Sequence, residues 1–124
     1  MDEAVKDAPE ASPELLEAFA LMWGTYPMPA SLVHKSRTIM AVNGACRQGG
    51  RAPGMNCAKW DSPDRHRGCL ADKALREQKS LFKETRTREG VTRVYWLPVP
   101  GHPDFYVHFG TGLIPCGGAD PGVS

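Results

Sequence analysis

Two short runs of apolar and β-branched residues stand close together in the first half of the chain. The first covers residues 31–34 (SLVH) and the second covers residues 38–42 (TIMAV), and the polar segment KSR separates them. Apolar runs of this length joined by a short polar segment predict the two strands of a β-hairpin. Asn43 follows the second run directly and carries a side chain that caps helix N-termini. Residues 44–48 are therefore predicted to form a short helix.

A longer amphipathic helix is predicted upstream of this hairpin. Ser12 is a suitable N-cap, Pro13 suits the first helical position, and Gly24 is a suitable stop. Between them, large apolar residues recur at helical spacing and form one broad face, namely Leu15, Leu16, Phe19, Met22 and Trp23. Residues 1–11 before this helix are acidic and are predicted to form a flexible leader.

The middle of the chain predicts loops and a further helix. Residues 49–64 are rich in Gly, Pro, Asn and Asp, which indicates irregular structure, with one or two helical turns around residues 57–60. A longer helix is predicted from about residue 65 to residue 78, with a moderate apolar stripe.

The last third of the chain predicts antiparallel sheet. Residues 92–99 (TRVYWLPV) alternate, with Tyr95 and Leu97 on one side and Val94 and Trp96 on the other. Two further strands are predicted on either side, at residues 80–88 and 105–114, with turns at residues 89–90 and 100–104. Gly110 and Gly112 in the last strand indicate a bulge or a close approach to the backbone. Residues 115–124 are predicted to form a flexible tail.

The order of these elements resembles that of a PAS domain. The hairpin that leads into a helix through Asn43 is the strongest individual match, and the resemblance extends over residues 29–114. It implies an α+β fold in which a five-stranded antiparallel sheet carries short helices on one face and is preceded by an N-terminal helix. The predicted organisation is a leader (1–11), a helix and linker (12–28), a PAS-like domain (29–114) and a tail (115–124).

Composition narrows the classes of function. The net charge of +1 indicates no nucleic-acid partner, and no stretch approaches the roughly 20 apolar residues that cross a bilayer. The acidic N-terminus is not a secretory signal, so we expect a cytoplasmic protein with reduced cysteines. The sequence contains no G-x-S-x-G, no P-loop and no H-E-x-x-H, so we predict no catalytic residues and no enzyme activity.

The cysteines allow two interpretations. No pair has C-x-x-C spacing, which favours small buried thiols and no metal or other cofactor. The alternative is a metal- or haem-based redox or gas sensor, with a site built from Cys57, His66 and Cys69 together with Cys46. Residues 63–70 resemble the start of the helix that supplies the proximal histidine in haem-binding PAS proteins. That resemblance implies His66 as the iron ligand, although Cys69 stands where those proteins have an aromatic residue.

On a PAS fold, several residues would line the cavity between the helices and the sheet. His108 alternates with Val107 and Phe109 in the last strand, so it lies on one face with Tyr106, and the pattern leaves open which face that is. The full set of predicted ligand-cavity residues comprises Cys46, Cys57, Trp60, His66, Cys69, Leu70, Trp96 and His108.

The resemblance implies sensing rather than turnover. We predict a sensory signal-transduction domain that binds a small ligand or a partner protein and signals through dimerisation, with its output on another chain or in a part not included in this sequence. In PAS-like proteins an N-terminal helix of this kind often lies across the sheet or pairs with a second subunit. The broad apolar face of the first helix and the outer face of the sheet form the predicted homodimer surface, through Leu15, Phe19, Met22 and Trp23.

Overall fold

The computed structural model describes residues 10–56 and 70–115, and for residues 114 and 115 it describes the backbone alone. The helices in these ranges are α1 (Pro13–Trp23), α2 (Gly44–Gln48) and α3 (Ala71–Glu77). The strands are β1 (Ala30–His34), β2 (Ile39–Val42), β3 (Leu81–Arg86), β4 (Gly90–Val99), β5 (His102–Gly110) and β6 (Ile114–Pro115).

The strands form one antiparallel sheet in the spatial order β2-β1-β5-β4-β3. The two-residue strand β6 pairs with the start of β4, beyond the point where β5 ends. The first and last long strands, β1 and β5, therefore lie side by side at the centre of the sheet. The predicted five-stranded antiparallel sheet is confirmed, with β6 as a short addition.

Helix α1 begins and ends as its sequence predicts. The Ser12 hydroxyl accepts a hydrogen bond from the backbone N–H of Leu15 at 3.1 Å, and Pro13 occupies the first helical position. Leu15 and Phe19, one turn apart, are the buried residues of this 11-residue helix. None of the helices in the described ranges is long and apolar enough to cross a membrane.

The predicted hairpin and the short helix after it are also confirmed. Strands β1 and β2 pair from Ser31 opposite Val42 to Val33 opposite Ile39. Asn43 caps α2, because its Oδ1 accepts a hydrogen bond from the N–H of Cys46 at 2.9 Å.

The structure corrects several predicted boundaries. Helix α3 begins at Ala71, after Leu70, whose backbone (φ −105°, ψ 13°) is not helical, and the earlier part of the predicted helix lies outside the described residues. The turn placed at residues 89–90 spans residues 87–90, because the N–H of Thr87 donates to the carbonyl of Gly90 at 2.7 Å. Gly90 is thus already the first residue of β4.

Strand β5 runs earlier than predicted. Gly101, at φ +81°, permits a tight turn, so that Val99 already pairs with His102 and the loop predicted at residues 100–104 is much shorter. The strand ends at Gly110 rather than at Ile114. Gly112 follows at φ +77°, and a Cβ there would lie 2.9 Å from Cε of Met28, which confirms the predicted close approach.

The sheet has an apolar cluster on each face. One cluster joins α2 and α3 to side chains such as Val33, Trp96 and Tyr106, and we call this side the inner face. The other joins α1 to side chains such as Leu32 and Val107, and we call this side the outer face. Neighbouring residues in a strand point to opposite faces, so each central strand contributes to both clusters.

Candidate functional site

The described members of the predicted ligand cavity gather on the inner face. Cys46 on α2 and Trp96 on β4 belong to the inner cluster, and Leu70 packs against it. His108 on β5 lies opposite Trp96 in the strand register, which decides the face that the sequence pattern left open. The other predicted members, Cys57, Trp60, His66 and Cys69, lie outside the described residues.

Trp96 and His108 lie against each other on this inner face. Their rings are stacked, with centroids 5.0 Å apart and an angle of 20° between the planes. The Nδ1 atom of His108 lies 2.9 Å from the carbonyl oxygen of Tyr95. A carbonyl only accepts, so Nδ1 is the donor, and in the neutral ring Nε2 is then the unprotonated nitrogen. The Tyr95 carbonyl thus fixes the orientation of the half-buried imidazole, whose ring lies against the indole of Trp96.

Cys46 has the environment of an apolar core residue. It is 2% exposed, and burial raises the pKa of its thiol above the usual value, while Arg51 and Arg47 act in the opposite direction. A raised pKa keeps the thiol protonated near neutral pH, whereas metals bind the thiolate. Within the described ranges, no three His, Cys, Asp or Glu side chains are grouped so that they could hold a metal ion.

A row of aromatic side chains crosses the outer face. Tyr95 stacks on Phe109 with centroids 4.9 Å apart and planes 6° from parallel. Phe109 also contacts Trp23 on α1 at 4.8 Å and Tyr26 after α1 at 5.8 Å. Phe82 on β3 extends the row, 5.4 Å from Tyr95. Ring contacts therefore connect the edge strand β3 to the C-terminal end of α1.

The predicted homodimer surface needs correction. Leu15 and Phe19 are 6% and 4% exposed because α1 packs on the outer face of its own sheet. Trp23 is half-buried in the same contact, so Met22, at 74% exposed, is the one largely exposed side chain of the predicted four. Leu21 beside it, which the sequence pattern did not single out, is 82% exposed.

A groove remains where α1 meets the outer face. Its volume is about 230 Å³, and its lining is almost entirely apolar. Phe19 and Met22 line it from the helix, Leu97 and Val99 line it from the sheet, and Pro100 lines it from the turn after β4. The outer face thus combines a packed region under α1 with an open apolar groove beside it.

The known proteins that resemble this chain are similar to it in structure, at low sequence identity. No protein-family model and no curated protein matches the sequence. Among solved structures, a sensory box sensor histidine kinase from Vibrio cholerae matches with a TM-score of 0.59 and 11% identity, over 81% of this chain and 90% of that one. A domain of an HTR-like protein from Haloarcula marismortui matches with a TM-score of 0.55 and 16% identity, over 68% of this chain and 95% of that one.

The photoactive yellow protein domain of the sensor histidine kinase Ppr from Rhodospirillum centenum is also similar. Its TM-score is 0.54 at 18% identity, over 78% of this chain and 96% of that one. A PAS domain from a two-component sensor histidine kinase matches with a TM-score of 0.50 at 14% identity, over 81% of this chain and 98% of that one. The chain has the PAS fold. The resemblance inferred from the order of its elements is confirmed.

Two features of this PAS fold were not predicted in full. Asn43 was identified as a helix cap, but its side chain also reaches the linker after α1, and nothing local in the sequence indicates that contact. At the β3–β4 end of the outer face, Arg93 donates to Glu84 at 2.7 Å and lies over the ring of Phe82. The hydrogen bond from Arg93 holds the pKa of Glu84 below its usual value. Alternation along both strands could have placed these side chains on one face.

Proposed function

We propose that the chain is a PAS-type sensory and signal-transduction domain that binds a small ligand or a partner protein and signals through dimerisation. The observation that carries this proposal is the two-sided sheet, with small helices on its inner face and α1 on its outer face. The sensor histidine kinases of similar shape support a sensory role, and because their sequence identity is low, the ligand is inferred from the residues of this chain.

The inner face is the proposed ligand side. The stacked rings of Trp96 and His108 lie there, among apolar neighbours that include Cys46 and Leu70. A planar, largely apolar ligand suits a lining of this kind. The other predicted cavity residues, Cys57, Trp60, His66 and Cys69, remain part of the proposal as sequence predictions.

Helix α1 is the proposed output element. An 11-residue helix is marginal in water by itself, so its structure depends on docking to the outer face. A ligand that favours one packing of the sheet and helices shifts the population of docked and undocked α1. The proposed site of action is the cytoplasm, with the output on a partner protein, and the proposed domain core is residues 29–114.

The proposed homodimer uses the exposed side of α1. Leu21 and Met22 are 82% and 74% exposed, and the apolar groove lies next to Met22. Two copies that place these side chains against each other's groove would bury apolar surface that is otherwise in water. This surface replaces the predicted one, because Leu15 and Phe19 are occupied within the chain.

Sedimentation velocity over a concentration series tests the dimer. We expect a self-associating wild-type chain and a monomeric variant with Leu21→Glu and Met22→Glu together. Leu113→Glu is the matched control, since Leu113 is also exposed, at 54%, and does not line the groove. A wild-type chain that stays monomeric at every concentration would refute dimerisation. An equal loss of self-association in Leu113→Glu would refute this surface.

Ligand binding is tested by NMR with a library of planar aromatic compounds. Binding on the inner face should shift the indole N–H resonance of Trp96 and the ring resonances of His108. The variant His108→Phe, which keeps an aromatic ring beside Trp96, should weaken the binding. Compounds that shift only groove residues such as Val99 would place the site on the outer face and contradict the proposal. Addition of haemin with a search for a Soret band tests the haem alternative on His66.

A further inference from the structure

Three side chains at the turn between β1 and β2 are joined by hydrogen bonds. Nδ1 of His34, the last residue of β1, lies 2.9 Å from Oγ of Ser36. The same Oγ lies 2.9 Å from Oγ1 of Thr38, the residue just before β2. Ser36 is exposed and His34 is half-buried. The turn therefore holds an accessible hydroxyl group in direct contact with an imidazole ring.

A backbone contact fixes the direction of these hydrogen bonds. The N–H of Ser36 also donates to Nδ1 of His34, at 3.1 Å. A backbone N–H can only donate, so Nδ1 is the unprotonated nitrogen of the neutral ring. The Ser36 hydroxyl must then donate its own hydrogen to Nδ1, and it accepts the hydrogen of the Thr38 hydroxyl. Ser36 and His34 are thus arranged as a nucleophile and the base that can take its proton.

The environment of His34 favours the neutral ring. Burial lowers the pKa of His34 below its usual value, Lys35 acts in the same direction, and Asp104 opposes both. The ring also lies against Phe105, with centroids 5.2 Å apart and an angle of 66° between the planes. A neutral imidazole can accept a proton, whereas an imidazolium cannot. Near pH 7 the base beside Ser36 is therefore in its active form.

Contacts with two other elements hold the turn in place. The N–H of Lys35 donates to the carbonyl oxygen of Asp104 on β5 at 2.8 Å. Nη1 of Arg37 donates to Oδ1 of Asp72 on α3 at 3.1 Å. Arg37 itself has a φ of +78°, a left-handed conformation that costs energy for any residue other than glycine. The nucleophile and its base are therefore positioned before a reagent arrives, which lowers the entropic cost of reaction.

We propose that Ser36 is a modification site whose hydroxyl, with His34 as its general base, accepts an acyl group from small activated acyl donors. Oγ of Ser36 attacks the carbonyl carbon of the donor, and the hydroxyl proton passes to Nδ1 of His34. The bond between that carbon and the leaving group then breaks, and the leaving group departs with the electron pair. Ser36 is left as an acyl ester, and His34 returns the proton to solvent.

The exposure of Ser36 sets the class of donor. An exposed hydroxyl is reached from solvent without passing through the inner face or the apolar groove. The reactivity of the donor therefore matters more than the shape of its acyl group, and esters with good leaving groups are the expected class. The proposal depends neither on the ligand side nor on the dimer proposed above, so it stands or falls separately from them.

Brief treatment with p-nitrophenyl acetate at pH 7, followed by peptide mass spectrometry, tests the proposal. The chain carries Lys35→Arg, which keeps a cation near Asp104 and removes an amine that could take the acyl group from Ser36. The internal control is Ser80, which is exposed and whose hydroxyl makes no hydrogen bond to a histidine in the described part of the chain. Ser36 should be acetylated about 30-fold faster than Ser80, below the usual gain from a general base because water competes at an exposed site. Equal acetylation of the two serines would overturn the proposal.

His34→Gln in the same chain tests the identity of the base. A glutamine side chain offers an oxygen that accepts a hydrogen bond from Ser36, but it takes up no proton near neutral pH. Acetylation of Ser36 should fall by about tenfold or more, and acetylation of Ser80 should stay the same. An unchanged rate at Ser36 would show that His34 is not the base and would overturn the proposal.

The pH profile gives a readout that a change of conformation alone would not produce. The rate of Ser36 acetylation should rise through the pKa of His34, with a midpoint below the usual value of 6.5. The charged groups around the turn are Asp104, Asp72, Arg37 and the cation at position 35, and histidine is the side chain that ordinarily titrates in this range. A profile without this step, or the same step in His34→Gln, would overturn the proposal.

Ser36→Cys tests the pair with a reagent that is specific for thiols. Beside His34 the thiol should give its proton to the imidazole, so it should react with iodoacetamide at pH 7 about tenfold faster than the thiol of Ser80→Cys. Peptide mapping separates these thiols from the four native cysteines. Because this variant keeps His34, it tests the proposal even where His34→Gln alters the conformation of β1. Equal alkylation rates in Ser36→Cys and Ser80→Cys would overturn the proposal.

Discussion

The packing of α1 on the outer face makes a quantitative prediction for Phe19→Ala. Phe19 is 4% exposed and packs in the outer cluster with Leu32 and Val107. Removing a buried phenyl ring costs about 3–5 kcal/mol, partly for transfer and partly for the cavity that remains. Phe19 also lines the groove, so the space it leaves opens to solvent and its neighbours can relax. The cavity part is therefore reduced, and we expect a loss of about 3 kcal/mol.

Urea denaturation followed by far-UV circular dichroism measures this loss. With a slope of about 2 kcal/mol per molar urea, the midpoint should fall by about 1.5 M. Leu21→Ala is the matched control on the same helix, and because Leu21 is 82% exposed its effect should stay within about 0.5 kcal/mol. A loss below about 1 kcal/mol for Phe19→Ala, with α1 amides still protected, would refute the packing argument. The same small loss with unprotected α1 amides would mean that the helix undocks before the sheet unfolds.

Three further predictions concern the backbone, a histidine and a thiol. Gly112→Ala and Gly101→Ala should each lower the stability by about 1–2 kcal/mol, since both residues have positive φ. A Cβ at Gly112 would also contact Met28, whereas a Cβ at Gly101 would meet no atom within 4 Å. Met28→Ala should therefore partly restore the stability of Gly112→Ala and leave that of Gly101→Ala unchanged. Equal rescue of both in urea denaturation would contradict this. Burial lowers the pKa of His34, with Asp104 opposing it and Lys35 adding to it. The unfolded chain therefore binds a proton at His34 more readily than the folded chain does. The contribution of the neutral imidazole to stability is fully present above the unfolded pKa of about 6.5, and it is lost as the pH falls through the lower pKa of the folded chain. Comparison of wild type with His34→Gln across that range should show this difference, and parallel curves would contradict it. Cys46 should react with a maleimide only after unfolding, because it is 2% exposed and its thiol pKa is raised. Peptide mass spectrometry measures this, and labelling of the native chain at the rate of an exposed thiol would show that the site opens.

Local patterns predicted most of this fold because each element has its own signal. Ser12 with Pro13, and Asn43 after a strand, mark helix starts through hydrogen bonds made within a few residues. Alternation in β4 separated Trp96 from Leu97 correctly, since the two faces of the sheet are buried against different helices. The end of β5 was misplaced because residues 111–114 continue an apolar pattern that the conformation of Gly112 interrupts.

The candidate site was less predictable because it depends on packing between distant elements. The broad apolar face of α1 was consistent with a dimer surface or with the sheet, and only the tertiary contact shows that Phe19 packs against Leu32. His108 was ambiguous for a similar reason, since a strand pattern gives two faces and does not say which one the helices cover. His108 is assigned to the inner face because it pairs with Trp96 in the strand register.

The arrangement of the two clusters also indicates how a signal would cross this domain. The direct route runs through the sheet, but its central residues, among them Leu32, Val33 and Tyr106, are at most 1% exposed. Moving them disturbs both clusters at once, and close-packed interiors resist such displacement. Helix α2 contributes one buried residue, Cys46, to the inner cluster, has five residues and is capped at its N-terminus by Asn43. A short helix of this kind moves at lower cost than a central strand. A ligand on the inner face, as proposed above, would therefore displace α2 before it displaces a central strand.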